Sequence, residues 1–166
     1  GFVVPPSDPV ALRAALERAA AGAISRAHDD RGARLHIDRV FSIRGAGTVV
    51  TGTLWSGEIG QGDVLELAPT GRRVRVRGVE VHNEALASAR AGQRVAVNLA
   101  GVAWSDVARG DVLGTGLTET YRVDAALDIS DEAEAEATRV QVHHGTRETP
   151  ARLSWLGGRF WQVRLE

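Results

Sequence analysis

Between residues 33 and 116 a glycine-bearing turn signal recurs five times, as "GAG" at 45–47, "GQGD" at 60–63, "PTGR" at 69–72, "RAGQ" at 90–93 and "ARGD" at 108–111. Glycine enters positive-φ conformations without steric cost, so each cluster can end one extended run and start the next. No helical pattern intervenes. Turns at such close intervals restrict the segment to an antiparallel barrel or sandwich. A barrel is expected, because glycines suit strands that bend to close a sheet.

The first of these strands carries an anomaly. In "RLHIDRVFSI", Leu35, Ile37, Phe41 and Ile43 share the period-2 phase of a half-buried strand, and Arg39 falls in that phase with them. Two geometries are open: Arg39 occupies the core phase, or a bulge after Ile37 shifts the phase so that Arg39 meets solvent and Val40 takes its place. The second does not remove a function, since bulges that re-aim a side chain are common at binding sites. Further on, "GRRVRVRG" at 71–78 puts Arg73, Arg75 and Arg77 on one strand face and Val74 and Val76 on the other. That pattern is first a solvated face, and secondarily a local footprint for phosphates.

Outside this segment the pattern changes. "SDPVALRAALERAAA" at 7–21 offers Ser7 or Asp8 as an N-cap, Pro9 at the first helical position and apolar residues at helical spacing, with Gly22 as the stop. The polar "RAHDDRG" at 26–32 reads as a linker. A second β unit is expected from Tyr121, where Tyr121, Val123, Ala125, Leu127 and Ile129 alternate with mostly polar residues. The acidic "DEAEAEA" at 131–137 reads as a solvated loop. "RVQVHH" and "ARLSWLGGRFWQVRLE" give three more strands, the last two joined at Gly157-Gly158. This second sheet is expected to be incomplete, with an unpaired edge.

Composition removes several function classes. Without cysteine there are no disulfides or thiolate metal sites, and every one of the 20 basic residues is arginine. A phosphate loop of the GxxxxGK[ST] kind needs a lysine and is therefore excluded. No Ser-His-Asp order, HExxH or paired carboxylates stand out, which leaves hydrolase chemistry without support. The net charge of -1 means that contact with RNA must come from local patches. No apolar run approaches a membrane span and no signal peptide opens the chain, so a cytoplasmic protein is expected. The absence of methionine points to an excised fragment or a processed product.

The text "IDRVFSIRGAGTVVTGTLWSGEIGQGDVLEL", with "VRVRGVEVHNEALASARAGQRVAVNLAGV" and "DVARGDVLG", resembles the second domain of translational GTPases of the elongation factor Tu kind. "IDRVF", "GTVVTGT" and "AGQRVAVNLAGV" are most similar to the selenocysteine-specific elongation factors. The resemblance implies a mainly β fold: residues 1–30 as the last helix of a GTPase domain and its linker, 31–116 as the domain II β-barrel, and 117–166 as part of a domain III barrel. It implies no catalysis and no cofactor within this stretch, with GTP and magnesium held by the chain's own GTPase domain elsewhere in the full-length protein. Implied partners are selenocysteinyl-tRNA, the ribosome and, through a C-terminal region, an mRNA hairpin.

The same resemblance places the selenocysteinyl group near Asp38, Arg39 and Arg94, with Asp38 orienting an arginine. It sets Glu80 and His82 on the strand that meets the 3′ end of the aminoacylated tRNA, the glutamate accepting from a ribose hydroxyl and the histidine stacking on a base. Arg73, Arg75, Arg77, His143 and His144 are candidates for the RNA backbone. His143 and His144, adjacent on a strand, point to opposite faces and do not share a metal. Trp55, Trp104, Trp155 and Trp161 read as core or interdomain packing. The alternatives are another translational GTPase, in which Asp38 and Arg39 are a surface pair, and a β-barrel protein-interaction module of a non-translational GTPase.

Overall fold

The computed structural model describes residues 8–22, 32–129 and 139–166. The linker at 26–31, the acidic stretch at 131–137 and the Ser7 capping option lie outside them. Helix α1 (Pro9–Ala21) is capped by Asp8, whose carboxylate accepts from the amides of Val10 at 3.1 Å and Ala11 at 2.9 Å. Gly22 closes its C-terminus.

The five turn clusters supply five of the eight connections among strands β1 (Arg34–Ile43), β2 (Gly47–Ser56), β3 (Glu58–Gly60), β4 (Val64–Ala68), β5 (Arg72–Val81), β6 (Glu84–Leu86), β7 (Ser88–Arg90), β8 (Arg94–Ala100) and β9 (Val112–Gly114). Strand β4 pairs with both β9 and β5, so β4-β9-β1-β2-β8-β5 forms a closed ring, with β6 added beside β5. Strands β3 and β7 make a separate two-stranded ladder. Leu35, Ile37, Val50, Leu54, Leu67 and Leu113 are fully buried inside the ring. Each such side chain contributes about 1.5–3 kcal/mol by leaving water.

Strands β10 (Arg122–Ala126), β11 (Arg139–His144), β12 (Arg147–Gly157) and β13 (Phe160–Leu165) form a second antiparallel sheet in the order β10-β13-β12-β11. Its edges are β10 and β11, and the last strand lies inside the sheet. Trp161 is wholly buried with Ala151, Leu153 and Val163. Trp104 and Trp155 do not join either core: they are 57% and 49% exposed, and the Trp155 indole donates to the Gly158 carbonyl at 2.9 Å.

Strand β1 resolves the arginine anomaly by a bulge. Its register against β2 runs Ile37 to Gly52 and then Arg39 to Thr51, which leaves Asp38 as the extra residue. Arg39 is exposed and Val40 packs on the core. The expectation that Phe41 and Ile43 continue the core phase fails for the same reason: past the bulge they turn outward, 42% and 48% exposed.

Gly52 faces the bulge, and a Cβ there would run into the His36 carbonyl. Gly52→Ala is therefore expected to destabilise the chain by about 1–3 kcal/mol, lowering Tm by about 2–4 °C per kcal/mol at this size. A thermal melt unchanged by the substitution would contradict the tight fit.

Candidate functional site

Because Asp38 has no partner across the ladder, its side chain is free to reach sideways over β2 to β8. Both terminal guanidinium nitrogens of Arg94 donate to it, Nη1 to Oδ2 in a short bond and Nη2 to Oδ1 at 3.0 Å. The Thr51 hydroxyl donates to Oδ1 at 2.9 Å. The Asp38 side chain is 17% exposed and that of Arg94 51%. The Arg94 bond, followed by that of Thr51 and the charges of Arg94 and Arg39, outweighs burial and holds the Asp38 carboxyl below its ordinary range. The same bond raises the pKa of Arg94.

Arg39 is left differently placed. It is exposed and makes no hydrogen bond or ion pair among the described residues. A charge neutralised in place on Arg94 thus sits beside a cation with open donors on Arg39. A guanidinium cannot shed its charge, so the spot favours an anion.

Register extends the site across four strands. Arg39 lies opposite Thr51, Thr51 opposite Ala96, and Ala96 opposite Glu80, so these residues form one row on the outer face. Three strand spacings put Arg39 and Glu80 about 14 Å apart at the backbone. The next row is Phe41, Val49, Asn98 and Gly78. The Asn98 Oδ1 is buried there without a partner, and a Cβ on Gly78 would meet nothing within 4 Å. An ionic row therefore runs beside an apolar one with an unspent amide.

His82 does not share the strand of Glu80. With φ of 53° at His82 and 67° at Asn83, the two residues form the turn between β5 and β6, and His82 is exposed there. The His-Asn pair carries no glycine, but asparagine tolerates this conformation, which is the signal that marks the turn. Arg73, Arg75 and Arg77 are exposed while Val74 and Val76 are buried. A second bulge sets Arg77 between Val76 and Gly78.

His143 and His144 part. The His143 Nε2 lies 3.2 Å from Glu148 Oε1 on an exposed face. His144 meets the ring, its imidazole 5.2 Å from His36 and 5.6 Å from Trp55, which are 4.2 Å from each other. Burial, then the charges of His144 and Arg34, lowers the His36 pKa to about 4. Among the described residues no three His, Cys, Asp or Glu side chains gather to hold a metal, and no helix is long and apolar enough to cross a membrane.

Thr51, Asn98 and His36 were not singled out by the sequence. Each is marked by register or by contact with the second sheet, neither of which is local in the chain.

Residues 47–114 match the family model of elongation factor Tu domain 2. Over 128 residues, 74% of the chain is 43% identical to the selenocysteine-specific elongation factor of Desulfomicrobium baculatum. The chain spans about a fifth of the length of such curated relatives, at 20% of that protein. It is similar to the crystal structure of the bacterial selenocysteine-specific elongation factor EF-Sec, with TM-score 0.80 and 26% identity over 95% of this chain and 27% of that one. The fold is also that of elongation factor SelB from Methanococcus maripaludis in complex with the GTP analogue GPPNHP, with TM-score 0.78 and 24% identity over 95% of this chain and 40% of that one.

His36 sets a pH dependence. Its folded pKa of about 4 lies below the ordinary 6.5, so between these values the unfolded chain binds a proton that the fold refuses. Stability should fall as pH drops from about 6.5 to about 4, by at most about 1.4 kcal/mol per pH unit for this group, and His36→Gln should flatten that part of the profile. Asp38, with a depressed pKa, stabilises above the ordinary carboxylate value and loses that contribution at still lower pH. Urea unfolding at pH 7 and 5 checks the histidine; equal slopes in wild type and variant would contradict it.

Proposed function

We propose, on the premise that this chain belongs to the elongation factor Tu-like translation factors and is homologous to their selenocysteine-specific members, that it holds the aminoacyl end of selenocysteinyl-tRNA. The observation that carries this reading is the open cation of Arg39 beside the Asp38–Arg94 pair. A cysteine thiol, with a pKa of about 8.5, is mostly neutral at pH 7, whereas a selenol is more acidic and largely ionised. Arg39 captures the selenolate, and Arg94, held by Asp38, borders it with a second guanidinium. A charge-assisted hydrogen bond contributes about 1.5–3 kcal/mol, roughly ten- to a hundredfold in affinity. A seryl group is neutral and leaves the guanidinium without an anion.

The rest of the outer face suits the 3′ end. The Glu80 carboxylate accepts from a ribose hydroxyl, with His82 beside it at the turn, and the Phe41 row offers an apolar surface to the terminal base. Arg73, Arg75, Arg77, His143 and His144 are assigned to the tRNA backbone. In this reading residues 1–30 end a GTPase domain, 31–116 are domain II and 117–166 are part of domain III. The longer protein works in the cytoplasm, binds GTP and magnesium in its GTPase domain, delivers the tRNA to the ribosome, and reads an mRNA hairpin through a C-terminal region. Residues 1–166 bind and do not catalyse.

The test uses the protein with its GTPase domain, loaded with a non-hydrolysable GTP analogue, and compares selenocysteinyl- with seryl-tRNA on one tRNA body. Arg39→Ala should cut the preference for selenocysteine about ten- to a hundredfold, and Arg94→Ala should lower it as well. Equal affinity for both tRNAs in the unmodified protein would move the function to a general elongation or initiation factor.

A further inference from the structure

The bulge in β1 is held from both sheets. The Ile37 carbonyl, immediately before Asp38, accepts from the Gly110 amide at 3.0 Å and from the Thr146 hydroxyl at 2.7 Å, which occupies both of its lone pairs. The Ile37 amide donates to the Asp111 carbonyl at 3.0 Å. Gly110 and Asp111 lie in the turn that leads into β9 of the ring, but Thr146 lies in the turn between β11 and β12 of the second sheet. Its neighbour Gly145, at φ 61°, sits so close to His36 that a Cβ would strike the imidazole.

A one-residue bulge is a register choice, and a strand can carry its extra residue one place earlier or later. Here a bulge one place earlier would set Asp38 opposite Gly52, in the core phase, and one place later would make Arg39 the spare residue. Fixing Ile37 fixes which residue is spare.

We propose that Thr146 is a positioning residue for the Asp38–Arg39 site: docking of the second sheet's Gly145–Thr146 turn onto His36 and Ile37 locks the bulge that turns Asp38 onto Arg94 and Arg39 to solvent. This rests on the proposed selenocysteinyl site for its consequence, though not for its geometry. The second sheet then contributes to amino-acid selection without touching the selenocysteinyl group.

The test has two readouts. In the 166-residue chain, the Asp38 carboxyl carbon is titrated by NMR in wild type, Thr146→Val and Thr146→Ser. Thr146→Val should raise the Asp38 midpoint towards the ordinary carboxylate value, and Thr146→Ser, which keeps the hydroxyl, should return it. Gly145→Ala, which keeps the hydroxyl but pushes the turn off His36, should act as Thr146→Val does and serves if that variant does not fold. A lower Tm with the Asp38 midpoint unmoved in the variants would overturn the proposal. In the protein with its GTPase domain, Thr146→Val should then lower selenocysteinyl-over-seryl preference at least several-fold, with rescue by Thr146→Ser. A moved midpoint with preference unchanged would leave the positioning role standing and count against the selenocysteinyl reading.

Discussion

One extra residue in one strand sets the chemistry of the outer face. Without the bulge at Asp38, β1 would continue the phase begun by Leu35 and Ile37 and bring Arg39 to the core, where an unpaired guanidinium costs several kcal/mol. The bulge exposes Arg39 and puts Val40 on the core. It also frees Asp38 from the ladder to bind Arg94 from two strands away. Exposure of Phe41 and Ile43 is part of the same shift, and it supplies the apolar row beside the ionic one. Core packing, ion pairing and the open cation are consequences of a single register step.

That step depends on close backbone approach at two glycines. Gly52 lets the His36 carbonyl come against β2, and Gly145 lets the second sheet come against the His36 ring. Between them His36 is pressed into an aromatic cluster with Trp55 and His144, which keeps it neutral well below its ordinary pKa. The ring and the second sheet are therefore joined at the residues that precede the bulge, rather than at a surface remote from it.

Much of this fold is legible in the chain because the signals are local. The five glycine clusters fall at turns, Asp8 caps its helix, and Gly157-Gly158 joins β12 to β13, each decided within a few residues. The Arg39 anomaly is visible as a broken period, and a bulge is one of the two geometries it allows. What the sequence does not supply is register. The row from Arg39 to Glu80 passes through Thr51 and Ala96, residues with no feature of their own. His82 escapes a strand-based reading because its turn lacks glycine, and the exposure of Trp104 and Trp155 is not legible because a large aromatic ring says little about which face it will occupy. Thr146 gains its role only from a contact 109 residues distant in the chain.

The central claim is that an open arginine selects its ligand by charge, and the pH dependence of that selection tests it most directly. Binding of cysteinyl- and seryl-tRNA to the GTP-analogue-loaded protein would be measured from pH 7 to 8.5. Charge capture predicts that cysteinyl-tRNA gains affinity over seryl-tRNA as its thiol ionises towards a pKa of about 8.5, and that Arg39→Ala removes the gain. A cysteinyl-to-seryl ratio constant across that range would contradict the account and return Arg39 to the solvated surface.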